Sequence, residues 1–396
     1  MGIILAIIIF GFIVFIHELG HFLLAKFNGI EVQEFSIGMG PKLFGFQRKE
    51  TLYSIRVLPL GGFCAMGEDE SDAGESVGNF NEKSPWRRIS VIAAGPVFNF
   101  VLALIGAIII TAWIGVDRPV VSSIEAGYPA AEAGMQAGDV ITQINGKKIH
   151  LFRDITTFNQ FHQKEEIDLT YERNGKETTV HLKPQWDEKY EMYRYGYSGG
   201  AYTKAGVLET IRYGGSVVRY WISTTLESLK MLVTGQIGME SMSGPVGIVD
   251  VVQDTYNQSK SGGAALVFLN MLNLMILLSA NLGVMNLLPI PALDGGRLVF
   301  LVIEVIRGKR VPPEKEGYVH MIGMVCLLLL MVFVMYHDIQ RVFFLWEIWD
   351  RITGASFCGG IPFFYFIENF PLLQREFYDM IFGFHTYSDD KITVTG

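Results

Sequence analysis

Cysteine is scarce in this chain: three among 396 residues, Cys64, Cys326 and Cys358, widely separated. They offer neither a disulfide framework nor a cysteine metal site. Charge is scarce too, with Asp, Glu, Lys and Arg at 18% against 50% hydrophobic residues, and the mean hydropathy is +0.30. Such a balance describes a polytopic membrane protein. The N-terminus lacks a basic n-region and an Ala-x-Ala exit, which argues against a removable signal peptide. No basic cluster stands apart from the membrane topology, so nucleic acid is not an expected partner.

Four charge-poor runs, 2–25, 89–116, 264–293 and 318–336, are long enough to cross a bilayer, since about 20 apolar residues span the hydrocarbon layer. Net charge is −8, yet the basic residues are unevenly placed. Lys26, Lys42, Arg48, Lys49, Arg56, Lys83, Arg87 and Arg88 lie between spans one and two; Arg297, Arg307, Lys309, Arg310 and Lys315 lie between spans three and four. By the positive-inside rule both loops are cytoplasmic, and the stretch 117–263 faces outward.

The first span carries His17-Glu18-Leu19-Gly20-His21. A membrane helix has little reason to hold a carboxylate and two imidazoles unless something charged binds there. Histidines at i and i+4 share one helical face and can reach one metal ion, and the adjacent glutamate can act on a water beside it. Two surface histidines would be an ordinary finding in a soluble protein, but unpaired polar groups in hydrocarbon cost on the order of a few kcal/mol each.

Catalytic zinc usually takes three protein ligands, so His17 and His21 need one more. Span three ends Asn286-Leu287-Leu288-Pro289-Ile290-Pro291-Ala292-Leu293-Asp294-Gly295-Gly296-Arg297. Its prolines break the helix and its paired glycines allow close backbone approach, which places Asp294 on irregular chain. An intramembrane aspartate there is either the missing ligand or a helix cap. His21 lies roughly 7–8 Å along a helix from Lys26, and Asp294 lies three residues before Arg297, so both belong to the cytoplasmic ends of their spans.

Elsewhere, alternation and β-branched residues over 30–66 predict short strands, broken at Gly38-Met39-Gly40-Pro41, that form a sheet dipping to the membrane beside the metal helix or an ordinary cytoplasmic hairpin. Residues 67–84 read as an acidic, solvated loop. Between spans two and three, Asn145-Gly146 and Asn174-Gly175 mark hairpin turns in a small soluble module. Its segment 128–149, YPAAEAGMQAGDVITQINGKKI, resembles a PDZ domain of the kind found in envelope proteases. The resemblance implies binding of an extended peptide along a strand edge, against the alternative of a spacer. Residues 206–235 predict an amphipathic helix, carrying Trp221, Leu226, Leu229, Met231 and Leu232, that lies on the outer surface or caps the site.

HELGH, Gly95-Pro96-Val97-Phe98-Asn99 in span two, the PDZ-like insert and NLLPIPALDGGR together resemble the site-2 protease family. The branch is that of bacterial PDZ-containing intramembrane metalloproteases, similar to the regulator-of-sigma-E protease with one PDZ domain in place of two. The match runs from about residue 1 to Arg341. It implies one zinc ion held by His17, His21 and Asp294, with Glu18 as general base. It also implies that the β-region, through Gly38, Met39 and Gly40, takes up the substrate as an added strand, and that Asn281 and Asn286 lie near bound substrate; hydrogen bonds between helices are the other reading of these asparagines. The expected fold is polytopic α-helical, four transmembrane helices with a membrane-associated β-region and an inserted extracytoplasmic PDZ-like domain. The boundaries are 1–28, 29–87, 88–116, 117–184, 185–263, 264–297, 298–317, 318–341, and a tail at 342–396 about which the resemblance says nothing.

The implied activity is zinc-dependent cleavage of single-span membrane proteins, such as anti-sigma factors or signal-peptide remnants, in regulated intramembrane proteolysis at the cell membrane. Membrane lipid and a peptide at the PDZ-like domain are the further partners. Two rivals are weighed against it. A silent PDZ scaffold would not need Glu18. A metal or ion transporter would need a polar path across the membrane, and spans two and four offer little beyond Asn99 and His320.

Overall fold

The computed structural model describes residues 1–67, 80–188, 190, 192–200, 202–238 and 242–351. The acidic loop falls mostly outside the described residues, as does the tail from residue 352, with Cys358. Four helical stretches, Gly2–Phe27, Pro85–Ile114, Pro245–Leu287 and Pro313–Gln340, are long and apolar enough to cross a membrane. A helix is the natural form for these sequences, because it satisfies every backbone group within the segment when no water is at hand.

Helix α1 (Gly2–Phe27) buries one face: Gly2, Ala6, Ile9, Ile13, His17, Gly20, His21 and Ala25. The three- and four-residue steps set both histidines on the stripe that packs inward, while Ile3, Ile4, Ile8 and Phe12 stay exposed for lipid. Helix α2 (Pro85–Ile114) lies against it, and small inner residues bring the two close. A Cβ on Gly20 would stand 2.5 Å from the Ala94 carbonyl oxygen.

Strands β1 (Val32–Arg48) and β2 (Thr51–Met66) each bend in the middle. Phe35 pairs with both Tyr53 and Cys64, and Ser36 with both Ser54 and Phe63, whereas Phe44–Arg48 pairs only with Thr51–Ile55. The ribbon order is therefore 44–48, 51–55, 34–37, 62–65. Strand addition through Gly38, Met39 and Gly40 would need the first half of β1 to be a sheet edge, and that expectation is corrected: residues 34–37 are paired on both sides. The reason is a turn at Gly61, whose φ is +90°, which sends the second half of β2 back along the far side of β1. The edge that packs against α1 is 62–65.

After α2 comes the inserted domain. Strands β3 (Val116–Asp117) and β4 (Val121–Ile124) open it, a short helix α3 (Pro129–Glu132) follows, and β5 (Val140–Ile144), β6 (Lys147–Lys148), β7 (Ile167–Arg173) and β8 (Lys176–Leu182) form a sheet of order β6-β5-β7-β8. Both Asn-Gly pairs sit at its turns with positive φ at each residue, as a tight hairpin of right-handed twist requires. Helix α4 (Phe152–Phe161) closes a core of Ile141, Ile144, Ile155, Ile167, Leu169 and Leu182. Strand pairing continues beyond residue 184. After a short hairpin, β9 (Gln185–Asp187) with β10 (Met192–Arg194), β11 (Tyr197–Gly199) pairs with β4 and β12 (Tyr202–Thr203) with β3, so the insert ends where it began.

Helix α5 (Val207–Val233) covers the expected amphipathic segment, but it joins the bundle. Val217, Val218, Tyr220 and Trp221 are buried in one core with residues of α1, α2, α6 (Pro245–Ser259) and α7 (Gly263–Leu287). The Tyr220 hydroxyl and Thr157 Oγ1 of α4, 2.7 Å apart, tie it to the inserted domain. Helix α7 stops at Leu287; a six-residue break leads to α8 (Asp294–Arg307), and α9 (Pro313–Arg351) follows.

Candidate metal centre

Helix α1 aims both imidazoles at the end of α2 nearest the basic loop, and the break before α8 delivers Asp294 to the same point. Asp294 Oδ2 lies 3.1 Å from His17 Nε2 and 3.4 Å from His21 Nε2, and the two Nε2 atoms are 3.2 Å apart. Donors on a tetrahedral ion with bonds of about 2.0–2.1 Å stand roughly 3.3–3.4 Å from one another. The spacing fits zinc. Both histidines are buried and Asp294 is half-buried. Among the described residues this is the one group of three or more His, Cys, Asp and Glu with donors this close.

What stands behind the ligands supports the same fit. His21 Nδ1 donates to the Val91 carbonyl at 2.9 Å, which leaves Nε2 with a lone pair toward the centre. His17 Nδ1 is 3.1 Å from Asn99 Nδ2, and Asn99 Oδ1 is buried with no hydrogen-bond partner among the described residues. Turning the amide by half a revolution lets Oδ1 accept from His17 Nδ1–H, and that tautomer frees His17 Nε2 as a ligand. Ser279 Oγ donates to the Asn99 carbonyl at 2.8 Å and anchors this part of α2 to α7.

Glu18, between the two ligands, points to the sheet. Its carboxylate takes a hydrogen bond from the Cys64 backbone N–H, and a Cβ on Gly62 would stand 3.4 Å from Glu18 Cγ. The free edge 62–65 is thus adjacent to the glutamate. Cys64 is no rival ligand or nucleophile, because burial first and the Glu18 charge second push its thiol up to about 12.

The remaining expected residues have other surroundings. Gly38, Met39 and Gly40 form the bend of β1, with φ of +87° and +84° at the glycines and Met39 half-exposed against Gly61. Thr225 Oγ1 of α5 donates to Asn281 Oδ1, an interhelical bond, and Asn286 is half-buried in the last turn of α7. Two residues that the sequence marks only as part of a motif contribute directly to the centre. A Cβ on Gly95 would fall 2.3 Å from His21 Nε2 and 2.7 Å from His17 Nε2, so the centre has room only because that position is glycine. Asn99, one turn on, faces the same way. At the opposite end of α2 a cavity of about 420 Å³ separates residues such as Thr111, Asn270 and Asn273 from Phe152 of α4 and Tyr197 of β11.

Gly95→Ala is expected to leave the protein folded, with zinc content below about a tenth of normal by metal analysis, because the added methyl overlaps both donors. Asn99→Leu is expected to weaken zinc about 10–100-fold in a chelator competition, while Asn99→Asp, which can still accept from Nδ1–H, holds near-normal affinity. Equal loss in both Asn99 variants would show that the residue does not orient His17.

Comparison with known proteins agrees with this chemistry. The profile of peptidase family M50 matches residues 5–330. A zinc metalloprotease RasP of Bacillus licheniformis is 36% identical over 425 residues, covering 85% of this chain and 98% of the relative. The regulator of sigma-W protease RasP of Bacillus subtilis is 35% identical over 422 residues, with coverage of 85% and 98%. Among solved structures, the PDZ domain of an SdrC-like protein of Listeria monocytogenes is 21% identical, covers 22% of this chain and 90% of its own, and has a TM-score of 0.20. With buried zinc-type donors on apolar helices and a family match over most of its length, the chain belongs to peptidase family M50 and is a multi-pass intramembrane zinc metalloprotease.

Proposed function

We propose that His17, His21 and Asp294 hold the zinc, that Glu18 is the general base, and that the substrate is a single-span membrane protein cleaved within or near the bilayer. The observation that carries this reading is the convergence of the three donors beside a glutamate that itself abuts a free strand edge. Zinc bound there supplies Lewis acidity at the scissile carbonyl and lowers the pKa of an attacking water from 15.7 to about 7. Glu18 takes the proton of that water as its oxygen bonds to the carbonyl carbon, then hands it to the leaving nitrogen as the C–N bond breaks. The Cys64 N–H fixes the carboxylate for both transfers.

A helical substrate hides its carbonyls, so it must unwind to be cut. Residues 62–65 have no strand partner on the side away from 34–37, and an extended segment added there, next to Glu18, is held with its carbonyl within reach of the centre. Met39 packs on Gly61 at the end of that edge. Leu43, Phe44, Phe46 and Leu58 are exposed on the sheet, a surface suited to lipid.

Charge supports a cytoplasmic metal end and an inserted domain outside: Lys26, Arg87, Arg88 and Arg297 flank the metal end of the bundle. The 420 Å³ cavity between α4 and β11 and the outer ends of α2 and α7 is suited to the extended outer stub left by an earlier cut. Its lining by α4 and β11 of the insert supports assigning to it the peptide binding expected of a PDZ-like domain. Anti-sigma factors are a proposed substrate class, since a relative is a regulator of sigma-W protease; signal-peptide remnants are another.

Glu18→Gln is expected to keep stoichiometric zinc and lower cleavage of a reconstituted single-span substrate by at least about 10²-fold. Near-normal turnover would remove Glu18 as the base. In a Cys64→Ala, Glu18→Gln background, cysteines at Phe63 or Ala65 are expected to cross-link to cysteines flanking the scissile bond, whereas cysteines at Phe35 or Ser36 are not. Cross-linking confined to 35–36 would contradict strand addition at 62–65.

A further inference from the structure

The break between α7 and α8 contains a conformation that its sequence does not favour. Ala292 has a φ of +75°, in the left-handed region where a Cβ crowds the backbone and glycine is the usual occupant. Two residues later the chain must present Asp294 to the histidines. Among the described residues the other non-glycine positions with positive φ are Lys49, at the β1–β2 turn, and the asparagines of the two Asn-Gly turns, where the local hairpin explains the geometry. At Ala292 no hairpin does so.

The support comes from α9. The Ala292 N–H donates to His320 Nδ1 at 2.9 Å. One turn along the same face, a Cβ on Gly323 would stand 2.3 Å from Pro291 Cβ and 2.7 Å from the Pro291 carbonyl oxygen, so α9 meets the break with bare backbone at one point and an imidazole acceptor at the next. His320 packs on Phe300 of α8, ring centroids 5.6 Å apart, and its Nε2 is 3.9 Å from Glu316 Oε1. Gly295 and Gly296, in the first turn of α8, lie close against the carbonyls of Leu287, Leu288 and Ile290. The break is therefore held between the start of α8 and α9.

We infer that His320 is a positioning residue for the zinc site: by accepting from the Ala292 N–H it holds the left-handed turn that delivers Asp294 to the metal. The inference rests on the reading of Asp294 as the third ligand. It gives α9, which supplies no ligand of its own, a direct hold on the geometry of the centre.

The test is zinc affinity of the purified full-length protein, by competition with a chelator, alongside thermal unfolding. His320→Ala is expected to bind zinc about tenfold more weakly or worse, in the range that orienting partners of metal ligands command. His320→Asn places an acceptor oxygen where Nδ1 stood and is expected to stay within about threefold of normal, whereas His320→Gln, whose oxygen lies one bond further out, is expected to lose affinity as the alanine does. Ala292→Gly, which removes the cost of the turn, is expected to restore most of the affinity lost in His320→Ala. Normal affinity in His320→Ala, or equal loss in the Asn and Gln variants with no recovery by Ala292→Gly, would overturn the inference. Should His320→Ala not fold, the Asn and Gln pair decides. Asp294→Ala separates the two readings: full zinc retention there means that Asp294 is not a ligand, while its loss beside a normal His320→Ala rejects the His320 role alone.

Discussion

Everything at this centre depends on keeping two imidazoles and a carboxylate poised in a bundle where little water can share their charge. A polar group left unpaired in hydrocarbon costs several kcal/mol, so each donor is tied from behind before any ion arrives. His21 is bonded to a carbonyl of α2, and His17 meets an amide of α2 that is itself anchored to α7. Asp294 opens α8, where the helix dipole favours a carboxylate. With a metal bound, the inner nitrogens and Oδ2 turn their lone pairs to the ion, which makes their close approach favourable.

That arrangement dictates much of the surrounding sequence. Space for the ion comes from Gly95, and the approach of α1 to α2 from Gly20. The turn at Gly61 brings backbone, with no intervening side chain at Gly62, onto Glu18. Small residues thus do for this site what large apolar ones do for a soluble core: they set the distances. The inserted domain and its cavity lie at the other end of α2, several helical turns from the ligands, and α5 bridges the two ends: its Tyr220 bonds Thr157 of α4 and its Thr225 bonds Asn281 of α7.

What could be read from sequence was local. The i, i+4 histidines, the proline-broken segment before Asp294 and the two Asn-Gly turns each specify their geometry within a few residues, and each stands as expected. What escaped depended on chain folding back on chain. Alternation in 32–40 marks a strand, but nothing there reveals that Gly61 returns β2 to its other side and turns an expected edge into an interior strand. The periodicity of 206–235 marks an amphipathic helix but not whether the membrane surface or the bundle receives its apolar face. Asn99 and Gly95 were visible as a motif, while their roles required knowing which rings lie opposite.

The central claim is that zinc is held by two imidazoles and one carboxylate and by no sulfur. X-ray absorption at the zinc edge of the purified full-length protein tests it most directly. The account predicts only oxygen and nitrogen neighbours at about 2.0–2.2 Å, with the outer-shell scattering of two imidazoles. A neighbour at about 2.3 Å, the distance of a thiolate sulfur, or the signature of fewer than two imidazoles, would contradict it.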